Sequence, residues 1–283
     1  MLDFGDTAAR AGRRVRAALL VCLVTSVLAG CAMHHEPVPA YEHEEVAHAP
    51  SLRVAVPSKS PPYAFRQRGE LVGLEVDFAH ELAAALGRPL ELVELQWEDL
   101  IPAVRAHRVD IVMGGMTITP GRQVQISFSD PYLRSGLLTV MRRENVADFK
   151  SVGKVLQTTE PVGVISGTTA ERFVREHAPN AAVTVYPDIQ AAIDELRERR
   201  VTLVVHDAPV CIWYAGGDEA NLGVLLELLD DEKLGWGIAR DDQALHTSVN
   251  EVLAHWRADG TRDRILDHWI HYWQRLESKP VAQ

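Results

Sequence analysis

Short apolar runs and longer segments with helical spacing alternate along the first part of the chain. The apolar runs predict buried strands, and they lie at Leu52–Val56, 90–95 and 109–113. Between them, residues 74–86 and 97–106 carry apolar side chains three and four positions apart, which predicts two helices. Gly87 follows the first of these helices, where a helix is expected to end. Strands that alternate with helices predict a parallel α/β sheet.

The same alternation begins again near residue 162. Further strands are predicted at 162–165, 183–186 and 201–205, and an extended segment at 234–239. Further helices are predicted at 168–177, 188–199, 242–258 and 261–273. Thr168 and Asp188 are the expected N-caps of the first two. The chain therefore carries two cycles of α/β structure.

Residues 1–31 have the composition of a targeting segment, which does not belong to the fold. A basic stretch precedes an apolar stretch at 17–28, and the ending Leu28-Ala29-Gly30-Cys31 matches the bacterial lipobox. The apolar stretch is too short to favour a membrane-spanning anchor. We therefore predict a lipoprotein signal peptide at 1–31, with Cys31 as the lipidated residue.

Residues 32–50 are rich in Pro, His and Glu and show no apolar period, which predicts a flexible tether. Its histidines are expected to be solvated, since nothing fixes their geometry for a metal ion. The formal net charge of -10 argues against nucleic acid as a partner. Cys211 remains without a partner once Cys22 and Cys31 are assigned to the signal segment, so we expect a buried thiol and no disulfide.

The stretch Gly114-Gly-Met-Thr-Ile-Thr-Pro-Gly-Arg122 combines bare backbone, small hydroxyls and one cation directly after a predicted strand. Glycine lets the backbone approach a ligand, and the guanidinium of Arg122 meets a carboxylate with two parallel hydrogen bonds. This combination suits a small anion. The same residues also fit a strand, a turn and a surface arginine.

The order of these residues closely resembles the signature of the periplasmic solute-binding proteins of the polar amino acid family, often called family 3, which serve ABC importers. In that signature two threonines flank a β-branched residue, an arginine follows, and then an apolar-rich segment of the type DFSDPYY. The equivalents here are Thr117, Ile118, Thr119, Arg122 and residues 126–132. The resemblance extends from about residue 52 to about residue 273.

The resemblance implies an α/β, two-lobed periplasmic-binding-protein type II fold, whose lobes are joined by two crossover strands that act as a hinge. Lobe 1 is then discontinuous, at 52–134 plus 234–276, and lobe 2 at 138–229 is inserted into it. Ligands of open α/β sheets bind beyond the carboxyl ends of the strands. The cleft between the lobes is therefore the expected ligand site.

The resemblance also implies roles for particular residues. Arg122 pairs with the α-carboxylate of an amino acid, assisted by Thr117 and by the backbone N–H of Thr169. Asp207 accepts the α-ammonium, helped by Thr117 and the carbonyl of Gly115. A fixed cation and a fixed acid suit a zwitterion, because a buried charge without a partner is costly. Two alternatives stay open, namely Asp207 as a helix cap and Arg122 in a surface ion pair.

Two further positions bear on the ligand's side chain. Trp97 aligns with an aromatic residue that packs on the ligand in relatives, although it also fits a core position at a helix start. His206, next to Asp207, resembles the His-Asp pair of glutamine-binding relatives and would hydrogen-bond a polar tip.

The loop at residues 57–62 departs from the family pattern. Pro57 stands where many relatives have an acid, and no aromatic residue lies near Ser60, a gap that Tyr63 or Phe65 would fill. Without that acid, a cationic tip such as that of lysine, arginine or ornithine would lack a partner. A neutral polar or aromatic amino acid is therefore the favoured ligand.

We accordingly expect a periplasmic lipoprotein that is held at a membrane by its lipid and captures an amino acid for an ABC transporter permease. We expect a monomer without cofactor or metal, and not an enzyme. Two alternatives use the same fold, a ligand-sensing accessory domain and a cyclohexadienyl dehydratase-like enzyme, for which Asp207 or Glu160 would supply an acid. Glu75 lies on a predicted helix and is expected to be solvated or capping.

Overall fold

The structure is a computed structural model that describes residues 49–278. The predicted signal peptide, Cys31 and nearly all of the predicted tether lie outside these residues. The strands are β1 Leu52–Val56, β2 Lys59–Ser60, β3 Ala64–Gln67, β4 Glu70–Val72, β5 Leu90–Glu94, β6 Ile111–Val112, β7 Ser127–Phe128, β8 Leu133–Arg142, β9 Pro161–Ile165, β10 Ala182–Tyr186, β11 Leu203–Asp207, β12 Leu222–Leu225, β13 Asp231–Leu234 and β14 Gly237–Ile238. The α-helices are α1 Leu74–Ala85, α2 Leu100–Arg105, α3 Pro120–Gln123, α4 Val152–Leu156, α5 Thr169–His177, α6 Ile189–Arg197, α7 Ala208–Gly217, α8 Gln243–Asp259, α9 Thr261–Trp269 and α10 Trp273–Ser278.

The first sheet has the strand order β5-β1-β6-β14-β7. Strand β1 runs parallel to β5 on one side and to β6 on the other, as the alternation of strands and helices predicted. Strand β14 returns from the C-terminal part of the chain and pairs antiparallel with β6 and β7. The first sheet is therefore built from two distant parts of the sequence. A small antiparallel sheet of β2, β3 and β4, which was not predicted, follows β1 in the chain.

The second sheet has the order β10-β9-β11-β8-β12, and β13 pairs with the first half of β8. Strand β9 is parallel to β10 and β11, whereas β8 is antiparallel to β11, β12 and β13. Next to the end of the β8–β13 pair, the Leu229 N–H donates to the carbonyl of Leu137 at 2.8 Å. The chain thus enters the second sheet along β8 and leaves it along β13. The predicted lobe boundaries, at 134–138 and 229–234, fall within β8 and across β13, and they stay a prediction.

Most of the predicted elements are observed within two residues of their expected bounds. The helix predicted at 261–273 ends at Trp269, because Ile270 adopts a non-helical backbone conformation with its side chain buried. The extended segment predicted at 234–239 contains only the last residue of β13 and the short strand β14. A separate helix, α10, begins at Trp273. Gly260 separates α8 from α9 in the left-handed conformation that favours glycine, at a φ of 82°.

Aromatic rings fill the core beneath the first sheet. The ring of Phe78 on α1 lies 5.3 Å from Tyr132, 5.4 Å from Trp236 and 6.0 Å from Trp256. Tyr132 immediately precedes β8, and Trp236 lies between β13 and β14. This cluster therefore packs α1 and α8 against both connections between the sheets. Cys211 is buried in the part of the core beside β8, as predicted.

The carboxylate of Glu75 on α1 is fully buried, so the expectation of a solvated or capping residue is wrong. Its Oε1 accepts hydrogen bonds from the Gly115 N–H at 2.7 Å and the Tyr132 hydroxyl at 2.6 Å, and its Oε2 accepts one from Trp236 Nε1 at 2.9 Å. Burial raises the pKa of Glu75, and these three hydrogen bonds oppose the increase. One carboxylate therefore joins α1 to the loop after β6 and to both connections between the sheets.

We expect Glu75→Ala to lower the free energy of unfolding by about 3 kcal/mol or more, since three buried donors lose their acceptor at about 1–3 kcal/mol each. Glu81→Ala, at a half-exposed position of the same helix, is the control and should change it by less than about 0.5 kcal/mol. Urea denaturation measures both. Equal small effects in the two variants would contradict the proposed importance of the buried carboxylate.

Candidate functional site

A cavity opens at the carboxyl ends of the parallel strands, where segments that follow β1, β5, β6, β9, β10 and β11 converge. This is the place at which open α/β sheets bind ligands. The seven predicted ligand-binding residues all line this cavity, namely Trp97, Gly115, Thr117, Arg122, Thr169, His206 and Asp207. The structure thus brings together side chains that are up to 110 positions apart in the sequence.

Arg122 is positioned by the short helix α3. Thr119 is the N-cap, and its Oγ1 accepts a hydrogen bond from the Arg122 N–H at 3.2 Å. The guanidinium donates from Nη1 to the carbonyl of Thr117 at 2.9 Å and from Nη2 to the carbonyl of Gly167 at 3.2 Å. Burial lowers the pKa of Arg122, but Asp207 and Glu232 oppose this, and a guanidinium stays charged at neutral pH. Within residues 49–278 it forms no ion pair, so a surface pair is not its role.

The loop between β6 and α3 depends on Gly115. Its φ is +68°, and a Cβ at this position would lie 2.4 Å from the ring of Tyr63. Beyond it, Thr117 bridges to Leu234, and the Ile118 N–H donates to the carbonyl of Lys233 at 2.8 Å. The loop is therefore held on one side by a buried aromatic ring and on the other by β13.

Asp207 ends β11 and is buried. It occupies the N-cap position of α7, but its side chain makes no capping hydrogen bond, so the alternative role as a helix cap is wrong. Burial raises the pKa of Asp207 to about 7, while the positive charge of Arg122 and the nearby Tyr63 hydroxyl oppose the shift. That hydroxyl makes no hydrogen bond of normal geometry within residues 49–278. The carboxyl group of Asp207 is thus turned to the cavity rather than to its own helix.

His206 is a neutral neighbour of this acid. Its Nδ1 accepts a hydrogen bond from the Asp207 N–H at 2.7 Å, which leaves the ring proton on Nε2. Burial lowers the pKa of His206 to about 4. The Nδ1 atom lies 3.6 Å from Asp207 Oδ1, but with a neutral ring this contact is not an ion pair.

Thr169 is the first residue of α5. The preceding Thr168 is the N-cap, as predicted, and its Oγ1 accepts from the Glu171 N–H at 3.2 Å. Its hydroxyl also donates to the carbonyl of Ile165 at 2.7 Å. The first turn of α5 therefore presents backbone N–H groups beside the cavity, where helix N-termini favour an anion.

Trp97 begins a 3-10 turn after β5 and contacts Arg122 directly. The Arg122 Cζ lies 5.2 Å from the centre of the indole ring, which is a cation–π contact. The indole Nε1 donates to the carbonyl of Gly167 at 3.4 Å, the same carbonyl that accepts from Arg122. Trp97 therefore lines the cavity and also orients the guanidinium.

The loop after β1 contributes Pro57, Ser58, Lys59 and Ser60 to the cavity wall. Lys59 Nζ pairs with Asp188 Oδ2 at 2.9 Å, and sequence reasoning assigned neither residue to the site. Neither proposed aromatic substitute lines the cavity. Tyr63 is fully buried beneath Gly115, and Phe65 packs on Trp213 and Trp269.

Glu232 is a second acid that sequence reasoning missed. It lies opposite Ser135 in the β8–β13 pair and is only 3% exposed, and neither carboxyl oxygen has a hydrogen-bond partner of normal geometry in the described part of the chain. Burial raises the pKa of Glu232 to about 8, with a further contribution from Asp207, while Thr169 opposes it. The shift therefore favours the protonated form of Glu232.

The other acid named for the enzyme alternative, Glu160, is not part of the site. Its Oε2 accepts a hydrogen bond from the Thr202 hydroxyl at 3.1 Å at an exposed position, and it does not line the cavity. The assignment of Glu160 as an acid in the cleft is therefore wrong.

Residues 52–272 match the sequence pattern of the bacterial extracellular solute-binding proteins, family 3. The chain belongs to this family. It is similar to the L-cystine-binding protein TcyJ of Escherichia coli (strain K12), with 26% identity over 78% of this chain and 82% of the relative. It is also similar to ABC transporter arginine-binding protein 1 of the same organism, with 28% identity over 78% of this chain and 91% of that protein. Among solved structures, the ancestral amino acid-binding protein AncCDT-1, a precursor of cyclohexadienyl dehydratase, is 33% identical with a TM-score of 0.72, over 77% of this chain and 94% of that one.

These similarities confirm the predicted family and the two-lobed type II fold of periplasmic binding proteins. The relatives of this family 3 protein are amino-acid-binding proteins that work with ABC transporters outside the cytoplasm. Within residues 49–278, no three His, Cys, Asp or Glu side chains are grouped so that they would hold a metal ion. No helix in the same range has the length and apolar character needed to span a bilayer.

We expect Glu232→Gln to flatten the pH dependence of stability. The folded-state pKa of about 8 exceeds the usual value of about 4.3, so the folded state binds the proton more tightly. Stability from this group is present at low pH and falls between about pH 4 and pH 8, by up to about 1.4 kcal/mol per pH unit. The Tm of the variant minus that of the wild type should therefore increase as the pH rises from 5 to 9.

Asp231→Asn is the matched control, because Asp231 is the preceding residue of β13 and pairs with Arg134 at the surface. Its Tm should follow the wild type across the same pH range. A constant Tm difference between Glu232→Gln and the wild type at all pH values would show that Glu232 does not hold a proton in the folded protein.

Proposed function

We propose that this family 3 protein captures one amino acid in the cavity between Arg122 and Asp207 and delivers it to the permease of an ABC importer. One observation carries the proposal. A cation and an acid line the same cavity, yet the guanidinium donates to two carbonyls and is not bonded to the carboxyl group. Two opposite charges held apart in this way offer both poles that a zwitterion needs.

In this proposal the α-carboxylate of the ligand accepts hydrogen bonds from Arg122 and from the N–H of Thr169. The α-ammonium donates to the Asp207 carboxylate, to the Gly115 carbonyl and to Thr117. Asp207 must be ionised to do so, and its raised pKa means that a proton leaves the site as the ligand binds. Arg122 and Asp207 follow strands of different sheets, so a bound ligand bridges the two and stabilises the closed form.

For the side chain of the ligand we propose a group without unbalanced charge, whether neutral polar, aromatic or carrying both signs of charge. The relatives named above include one for cystine and one for arginine, so family membership leaves this question open. Lys59 and Asp188 neutralise each other at the cavity wall. A cationic tip would therefore meet no unpaired acid there. Trp97 and the neutral His206 offer an aromatic surface and a polar N–H instead.

We expect Arg122→Ala to weaken amino acid binding by about 3–5 kcal/mol, because Asp207 and the ligand carboxylate would lose the central cation. Arg264→Ala removes the same charge at an exposed ion pair with Glu81, and binding should be unchanged. Isothermal titration calorimetry measures both variants. If Arg122→Ala binds the amino acid with wild-type affinity, the proposed site is wrong.

We further propose that Cys31 carries a lipid that holds the protein at the outer face of a bacterial membrane. The lipobox-like sequence Leu28-Ala29-Gly30-Cys31 supports this proposal. Cells that express the protein should incorporate radiolabelled palmitate into the wild type and into Cys22→Ser, but not into Cys31→Ser. Label that persists in Cys31→Ser would refute the anchor.

We infer that the protein is a receptor rather than an enzyme, because the two curated relatives named above are amino-acid-binding proteins. Two observations keep the enzyme alternative open to a test. One solved relative is described as a precursor of cyclohexadienyl dehydratase, and two buried acids, Asp207 and Glu232, lie at or beside the cavity. Incubation with prephenate separates the two functions, because only a dehydratase releases phenylpyruvate from it. Loss of amino acid uptake in cells that lack the protein would separate an importer receptor from a sensing domain.

A further inference from the structure

Among the described residues, two basic and two acidic side chains line the cavity, and they form two cation–acid pairs. The cations, Lys59 and Arg122, belong to β2 and α3, beside the first sheet. The acids, Asp188 and Asp207, precede α6 and α7, beside the second sheet. Each pair therefore has its cation on one side of the cavity and its acid on the other.

The two pairs differ in how they are arranged. In the inner pair, Arg122 and Asp207 are not bonded to each other. In the outer pair, Lys59 Nζ lies 2.9 Å from Asp188 Oδ2, and the Lys59 side chain is 61% exposed, so the pair stands at the cavity mouth. The two pairs are also electrostatically distinct, since the pKa of Asp207 responds to Arg122 and that of Asp188 responds to Lys59.

The outer acid is already ionised and oriented. Its Oδ1 accepts the hydrogen bond from the Ala191 N–H that caps α6, at 2.9 Å. Burial alone would raise the pKa of Asp188, but the Ala191 N–H and Lys59 lower it overall. Asp188 Oδ2 therefore faces the cavity as a carboxylate in a fixed position, with an ammonium group next to it.

The wall that belongs to neither pair carries the apolar side chains of Leu95, Trp97, Ile165 and Ile189 among uncharged polar ones. A ligand with a single distal charge would pair with one member of the outer pair and leave the other without its partner. A ligand that ends in both an ammonium and a carboxylate satisfies both members, and the net charge of the lined cavity stays balanced.

We propose that Lys59 and Asp188 bind a second zwitterionic end of the ligand, so that the ligand class is the diamino dicarboxylic acids, such as cystine, lanthionine and diaminopimelate. This inference rests on the proposed capture of an amino acid between Arg122 and Asp207. The distal carboxylate pairs with Lys59 and the distal ammonium with Asp188. The apolar wall contacts the linker between the two ends.

The competing explanation is that Lys59 and Asp188 only latch the two sides of the cavity together. A latch stabilises the closed form for every ligand equally, whereas a recognition pair acts only on ligands that reach it. The same variants therefore distinguish the two explanations. Asp188→Asn removes the charge but keeps an N-cap for α6, and Lys59→Gln removes the opposite charge.

Calorimetry should be run with L-cystine and meso-diaminopimelate against L-glutamine and L-arginine. At least one of the first two is expected to bind the wild type at least ~10-fold more tightly than either single-ended ligand. Lys59→Gln and Asp188→Asn should each weaken that binding by ~10-fold, and glutamine binding by less than ~3-fold. Lys154→Gln and Asp194→Asn, which make the same changes outside the cavity, should alter neither.

Equal weakening for all ligands would overturn the proposal in favour of a latch, and tightest binding of glutamine or arginine would overturn it as well. If Arg122→Ala abolishes binding while Lys59→Gln and Asp188→Asn leave every affinity unchanged, the proposed function stands and this inference fails. If none of the four ligands binds the wild type, this inference fails, and a thermal-shift screen of the remaining amino acids then tests the proposed function separately.

Discussion

The buried carboxylate of Glu75 is the interaction on which the arrangement of this molecule depends. A desolvated carboxylate is costly, and three hydrogen bonds from Gly115, Tyr132 and Trp236 offset that cost. These donors come from the loop that leads to Arg122 and from the two connections between the sheets. The ligand loop and the connections therefore share one anchor, and neither is free to shift alone.

The inner charges are kept apart by neutral partners. The guanidinium of Arg122 donates hydrogen bonds to the carbonyls of Thr117 and Gly167 and makes a cation–π contact with the ring of Trp97. Asp207, which makes no cap and has no direct cation, keeps a raised pKa. Arg122 and Asp207 are thus not paired with an opposite charge in the described part of the chain, and the charged ends of the proposed ligand would supply those partners. Groups held in place before binding lose little entropy when the ligand arrives.

Sequence reasoning worked where local patterns carry the information. Apolar runs predicted β1 and β9, because a buried parallel strand needs apolar side chains on both faces. The Thr-Arg motif and the acid after β11 were predicted from their place at strand ends and from the family resemblance. By contrast, β8 was missed as an element, since its first half carries Arg134, Ser135 and Gly136 among the apolar residues.

The missed site residues share one physical cause, which is that their partners are distant in the sequence. Lys59 and Asp188 are separated by 129 positions, and Glu75 and Trp236 by 161. Glu232 stands beside Asp230 and Asp231, and composition does not show which of three neighbouring acids points inward. The strand register separates Glu232 from Asp231, because adjacent residues of a strand face opposite sides.

The antiparallel entry and exit of the second sheet has a consequence for how such proteins diversify. Because Leu137 and Leu229 are hydrogen-bonded neighbours, the segment between them begins and ends at one point. A recombination event could exchange this segment as a unit, with two adjacent joins and the first sheet left intact. The exchanged unit would carry Asp188 and Asp207 but neither cation. Recombination at these two joins would thus exchange the two acids of the cavity independently of its two cations.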